Sequence, residues 1–134
     1  MEQKITPKEP IIISANQGSV QTNQSTTAIG ASFIMHEWRG SGPDYLHVHY
    51  EDDEAWHVLE GMLTFKFKDR VVEATKGTTV FVPAGVPHTY FADDSARYLI
   101  ILTPRLNELI SALQIAPYPA HASIMKKFES EILN

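Results

Sequence analysis

The sequence predicts an all-β barrel or sandwich followed by two short C-terminal helices. Three observations carry the expectation. Between residues 29 and 103 short apolar segments are separated by turn signals at intervals of about eight to twelve residues, the rhythm of hairpin-connected strands rather than of βαβ units. Within that region Leu63, Phe65 and Phe67 alternate with Thr64, Lys66 and Lys68, the period of a half-buried strand. After Pro104 the period changes, with Leu106, Leu109, Ile110 and Leu113 at i, i+3, i+4 and i+7.

The elements follow in order. Residues 1–28 form a polar arm rich in Gln, Thr and Ser, in which the apolar island Ile11–Ile13 fits one edge strand. Residues 29–103 form the barrel, punctuated by Gly40-Ser41-Gly42-Pro43, Glu60-Gly61, Lys68-Asp69, Lys76-Gly77, the Gly/Pro stretch 83–87 and Ala92-Asp93-Asp94-Ser95. Lys68-Asp69 is the tip of a hairpin into Val71–Ala74, and the segment from Arg97 to Thr103, apolar on both faces, fits a central buried strand. Thr103 before Pro104 supplies an N-cap and an N1 proline for the first helix. Pro117 and Pro119 break the chain. A second helix starts at about Pro119, with Ile124, Met125, Phe128 and Ile132 on one side, and residues 104–134 pack on the barrel or on a partner subunit.

Composition narrows the function. A chain of 134 residues, 43% hydrophobic, fits one domain with a real core. Cysteine is absent, which removes disulfides, thiolate ligands and a thiol nucleophile. The net charge of −5 and the lack of any basic cluster longer than Lys126-Lys127 argue against nucleic acid as a partner. No apolar run approaches the ~20 residues of a membrane helix, and the polar start lacks the apolar stretch of a secretory signal, so a cytoplasmic protein is expected.

Two distant stretches hold the residues that can do chemistry. His47-Val48-His49 is an H-x-H pair, and residues two apart in a strand face the same way. Taken alone, the pair fits two exposed strand histidines at least as well as a site. Glu54 follows the acidic turn Glu51-Asp52-Asp53, whose three carboxylates read as solvated, and His88 follows the Gly/Pro turn that ends at Pro87. Three neutral imidazoles and one carboxylate make a nitrogen/oxygen donor set fitted to Mn, Fe, Co, Ni, Cu or Zn. His36, His57 and His121 read as structural or exposed; His57 is out of phase with Glu54, while His36 is a further candidate for a pocket wall. Trp56 shares the parity of Glu54 and Tyr90 that of His88, so both are candidates for the wall or for plain core.

These stretches resemble the two motifs of the cupin superfamily. The first motif reads Gly, about five residues, His-x-His, three or four residues, Glu, six residues, Gly. Here Gly42 is followed by four residues, His47-Val48-His49, four residues, Glu54, six residues and Gly61. The second reads Gly, five residues, Pro-x-Gly, two residues, His, three residues, Asn, matched by Gly77, Pro83-Ala84-Gly85 and His88, with Ala92 in place of the terminal Asn. Fifteen residues separate Gly61 from Gly77. The resemblance implies a double-stranded β-helix, or jelly-roll barrel, with one divalent transition metal ion in its mouth held by His47, His49, Glu54 and His88.

Small single-domain cupins with this donor set resemble the quercetin-dioxygenase type. That implies a metal-dependent oxidoreductase acting with O₂ on a small enolisable or aromatic compound, with Glu54 as the catalytic carboxylate and Trp56, Phe65 and Tyr90 as an apolar substrate wall. A lyase or isomerase acting on a keto acid or sugar, and a non-enzymatic module that binds a small molecule, are the alternatives. A homodimer is expected, because cupins commonly pair and Ile11–Ile13 could extend a neighbour's sheet.

Overall fold

The computed structural model describes residues 9–14 and 26–133. Along these residues run β1 (Thr27–Ile29), β2 (Ile34–Trp38), β3 (His47–His49), β4 (Glu54–Glu60), β5 (Met62–Phe67), β6 (Val71–Thr75), β7 (Thr79–Val82), β8 (His88–Ala92) and β9 (Arg97–Leu102). After them come α1 (Pro104–Ile115), a 3₁₀ turn (Tyr118–Ala120), α2 (His121–Lys127) and β10 (Ser130–Ile132). The strands form two five-stranded sheets, ordered β1-β2-β9-β4-β7 and β10-β3-β8-β5-β6, with every pairing antiparallel.

Alternation decides which side chains meet between the sheets. Along β4 the residues Glu54, Trp56 and Val58 are buried while Ala55 and His57 are less so, and along β5 Leu63 and Phe65 are buried while Lys66 is exposed. The inward residues of both sheets form one core that includes Trp56, Leu63, Phe65, Tyr90, Tyr98 and Ile100. The rings of Trp56 and Phe65 join the two layers edge to face, 5.0 Å between centroids. Gly61 alone links β4 in one sheet to β5 in the other; its φ of 70° and the Ala96 nitrogen 2.6 Å from where a Cβ would stand leave no place for a side chain. The Lys68-Asp69 hairpin is present, closed by Phe67 N–H donating to Arg70 O, and β9 lies centrally between β2 and β4.

Helix α1 starts as its sequence dictates. The Thr103 hydroxyl accepts from Leu106 N–H at 3.1 Å and donates to Asp52 at 3.0 Å. Arg105 completes the junction with an ion pair to Asp52 at 2.9 Å. Asp52 is therefore buried and tied to the helix start, against the expectation of a solvated acid. Leu106 and Leu109 are fully buried and Ile110 and Leu113 partly so, which seats α1 on the barrel beside β9 and α2.

Two further expectations are corrected. The second helix is shorter than its apolar stripe suggested: it ends at Lys127, Glu129 takes a left-handed φ of 54°, and Ile132 belongs to β10, paired with β3. Ile11–Ile13 forms no strand, and the edge strand is β1, while the rest of the expected arm, residues 1–8 and 15–25, lies outside the described residues. Among the described residues no helix is long and apolar enough to cross a membrane.

Candidate metal centre

His47 and His49 stand at the two ends of β3, a strand too short to place them anywhere but side by side on one face. On one flank β8 pairs His47 with His88; on the other β10 pairs His49 with Ser130. Glu54 opens β4 in the opposite sheet, so the centre is built from both layers. One nitrogen from each of His47, His49 and His88 falls in a group whose atoms all lie within 4.8 Å of one another. Glu54 Oε1 is 3.3 Å from His49 Nε2 and 3.2 Å from His88 Nε2. All four side chains are buried.

The other edge of each imidazole settles its proton. His47 Nδ1 donates to the carbonyl of Tyr45 at 3.2 Å and His88 Nδ1 to that of Val86 at 2.9 Å. His49 Nδ1 lies 2.8 Å from Ser130 Oγ, whose own proton goes to Phe128 O, so Nδ1 is the donor there too. In the neutral form of each ring, the proton on Nδ1 leaves Nε2 free to serve as a metal ligand. Burial, then the neighbouring His88 and His49, pushes the His47 imidazole down to about 3, which keeps it neutral. Burial raises the Glu54 carboxyl, but its contacts with His49 and His88 outweigh this and hold it at about 2, so it is ionised.

Glu54 Oε1 thus lies within reach of two imidazole Nε2 atoms, which offset its charge through a proton when the centre is empty and would share a cation with it when the centre is filled. Donor atoms each about 2.0–2.2 Å from one ion stand roughly 3 Å apart, close to the separations of Glu54 from His49 and His88. The residues fit a single divalent transition metal ion.

A cavity of about 230 Å³ opens on this cluster. His47, His49 and Glu54 form its floor; Trp38, Tyr90 and Ile100 line it from the barrel, and the loop Ser41–Pro43 lines its rim. That loop is fastened from beneath. Tyr90 OH pairs with Tyr98 OH at 2.9 Å, Tyr98 OH donates to Gly40 O, and Thr89 Oγ1 donates to Pro43 O. A Cβ on Gly42 would stand 2.6 Å from the Tyr90 ring, so only glycine lets the loop lie this close.

Residues 33–102 match the cupin domain family. The chain belongs to the cupin family. Solved structures agree on the fold. A cupin-2 domain protein of Shewanella frigidimarina is 24% identical with a TM-score of 0.55, over 69% of this chain and 94% of its own. A Neisseria meningitidis protein is 19% identical with a TM-score of 0.52 over 69% of this chain and 99% of its own, and a Bacteroides fragilis cupin is 15% identical with a TM-score of 0.52 over 69% and 86%. At these identities the likeness concerns the fold alone. Comparison with curated proteins gives no match.

Of the residues expected in the wall of this cupin's pocket, Tyr90 lines the cavity. Trp56 and Phe65 do not; they lie in the core, where Trp56 packs edge-on against His88 at 5.6 Å. His57 turns outward to Thr79, and His36 is held by Thr27 and Asn107 without reaching the cavity. Sequence reasoning missed His121, Ile110, Leu113 and Gln114, which line the cavity from the C-terminal helices. The helical stripe signalled that Ile110 and Leu113 face the barrel, but nothing local told that they face its mouth.

Proposed function

We propose that this cupin is a mononuclear metal-dependent oxidoreductase of the dioxygenase type, acting on a small enolisable or aromatic compound. The observation that carries the reading is the clustering of three imidazole nitrogens, with the Glu54 carboxylate beside two of them, at the floor of a cavity whose walls include Trp38, Ile100, Ile110 and Leu113. His47, His49, Glu54 and His88 would hold the ion, which when bound supplies Lewis acidity to a coordinating oxygen. Glu54, ionised and on the cavity floor, is the group placed to accept a proton from a bound enolisable carbon. The apolar walls exclude water and favour a hydrocarbon body. They also set this reading above a sugar lyase or isomerase, whose substrate needs many polar partners in its pocket.

The test is elemental analysis of the purified protein, followed by oxygen-uptake measurements with single-ring enols and β-dicarbonyl compounds after loading with Mn, Fe, Co, Ni or Cu. The reading expects about one ion per chain and stoichiometric O₂ consumption with at least one compound. Conversion without O₂ would support the lyase or isomerase class, and tight binding without conversion a binding module.

A further inference from the structure

The family match ends at Leu102, yet the cavity does not. Its upper wall is Ile110, Leu113 and Gln114 of α1, together with His121, the first residue of α2. His121 Nε2 lies 3.1 Å from both Leu113 O, which also accepts from Ala116 N–H, and Ala116 O, and donates to these two carbonyls at the end of α1. With its proton on Nε2, its Nδ1 accepts from Tyr45 OH at 2.9 Å. Tyr45 is the residue whose carbonyl receives the His47 Nδ1 proton. One imidazole thus bolts the end of α1 to the segment that orients His47.

The far end of α1 is held just as firmly, through Thr103 and Arg105 to the buried Asp52, two residues before Glu54. A helix pinned at both ends to the two segments that carry floor residues forms a fixed roof. The cavity is half open to solvent, and its volume of about 230 Å³ is smaller than the roughly 300–1,000 Å³ of pockets for drug-sized ligands.

We propose that the C-terminal segment is the specificity element of this site: Ile110 and Leu113, held in place by His121, limit the substrate to a compact molecule with a chelating oxygen head and an apolar body no larger than one ring. The proposal rests on the metal-centre reading given above. Fused-ring and two-ring compounds such as flavonols are excluded. Gln114 is the one amide among the roof's lining residues, placed to meet a polar substituent on the body.

A graded series of chelators tests it: acetohydroxamic, benzohydroxamic and 2-naphthohydroxamic acid share one head and differ only in body. Each is titrated calorimetrically into the Co(II)-loaded full-length protein, with the Co(II) absorption bands reporting whether the head reaches the ion. The wild type should bind the first two and reject the naphthyl compound by at least tenfold. Ile110→Ala/Leu113→Ala should admit the naphthyl compound with Co(II) still bound, and His121→Ala should narrow the discrimination among the three acids. Leu113→Phe, which fills rather than empties the roof, should reject benzohydroxamic acid, so the account is testable even if the double variant does not fold. Equal affinity for all three acids in the wild type, or the same ranking in every variant, would overturn the roof while leaving the metal centre intact. Failure to bind Co(II) at all would overturn the centre and, with it, this proposal.

Discussion

At the scale of single residues, the candidate centre depends on hydrogen bonds as much as on donors. His47, His49, Glu54 and His88 were legible because strand parity and fixed spacings bind them to two glycine frames. Their supports were not legible: Ser130 meets His49 across 81 residues, through a strand pairing that no local pattern announces. Ser130→Ala removes the acceptor that fixes the His49 tautomer. It should weaken divalent-metal affinity by about 10–100-fold, read by competition with a chromophoric chelator, while circular dichroism stays unchanged. His47 sets a pH dependence. Its ring takes a proton near 6.5 when unfolded but only at about 3 when folded. The unfolded state therefore binds more protons in that window, and stability is lost as pH falls through it. Melting of the metal-free protein should show a Tm that declines below about pH 6.5 and is insensitive to this ring above it.

Among elements, the barrel strands and α1 were readable because each satisfies its own rule: alternation along β4 and β5, two-faced burial along β9, and a capped stripe along α1. The chain beyond Lys127 was not. The apolar positions Ile124, Met125, Phe128 and Ile132 continue a helical stripe, but the left-handed turn at Glu129 hands the chain to a strand that exists only because β3 offers an open edge. Asp52 misled for a related reason, since a carboxylate in an acidic run looks solvated until a helix start docks on it. Thr103→Ala removes both the N-cap bond and a partner of buried Asp52. A loss of about 1–2 kcal/mol is expected, measurable by urea unfolding with an unchanged m-value. Glu60 and Glu37 hold buried Arg97 at 3.0 and 2.7 Å, tying the start of β9 to the strands on either side of it.

For the whole molecule, the two sheets, β10 and the C-terminal helices act as one frame around four converging donors. Because the folded chain presents those donors together and the unfolded chain does not, a bound ion must stabilise the fold. Free metal at 1,000 times its Kd should add about 4 kcal/mol, visible as a rise in Tm that a chelator reverses. The most direct test of the account counts nitrogens. Pulsed electron paramagnetic resonance of the protein loaded with one equivalent of Cu(II) should show coupling to three imidazoles, through the nonligating nitrogens that carry the Nδ1 protons, and to two after His47→Ala. A spectrum showing one imidazole or none in the wild type, or one unchanged by His47→Ala, would contradict it.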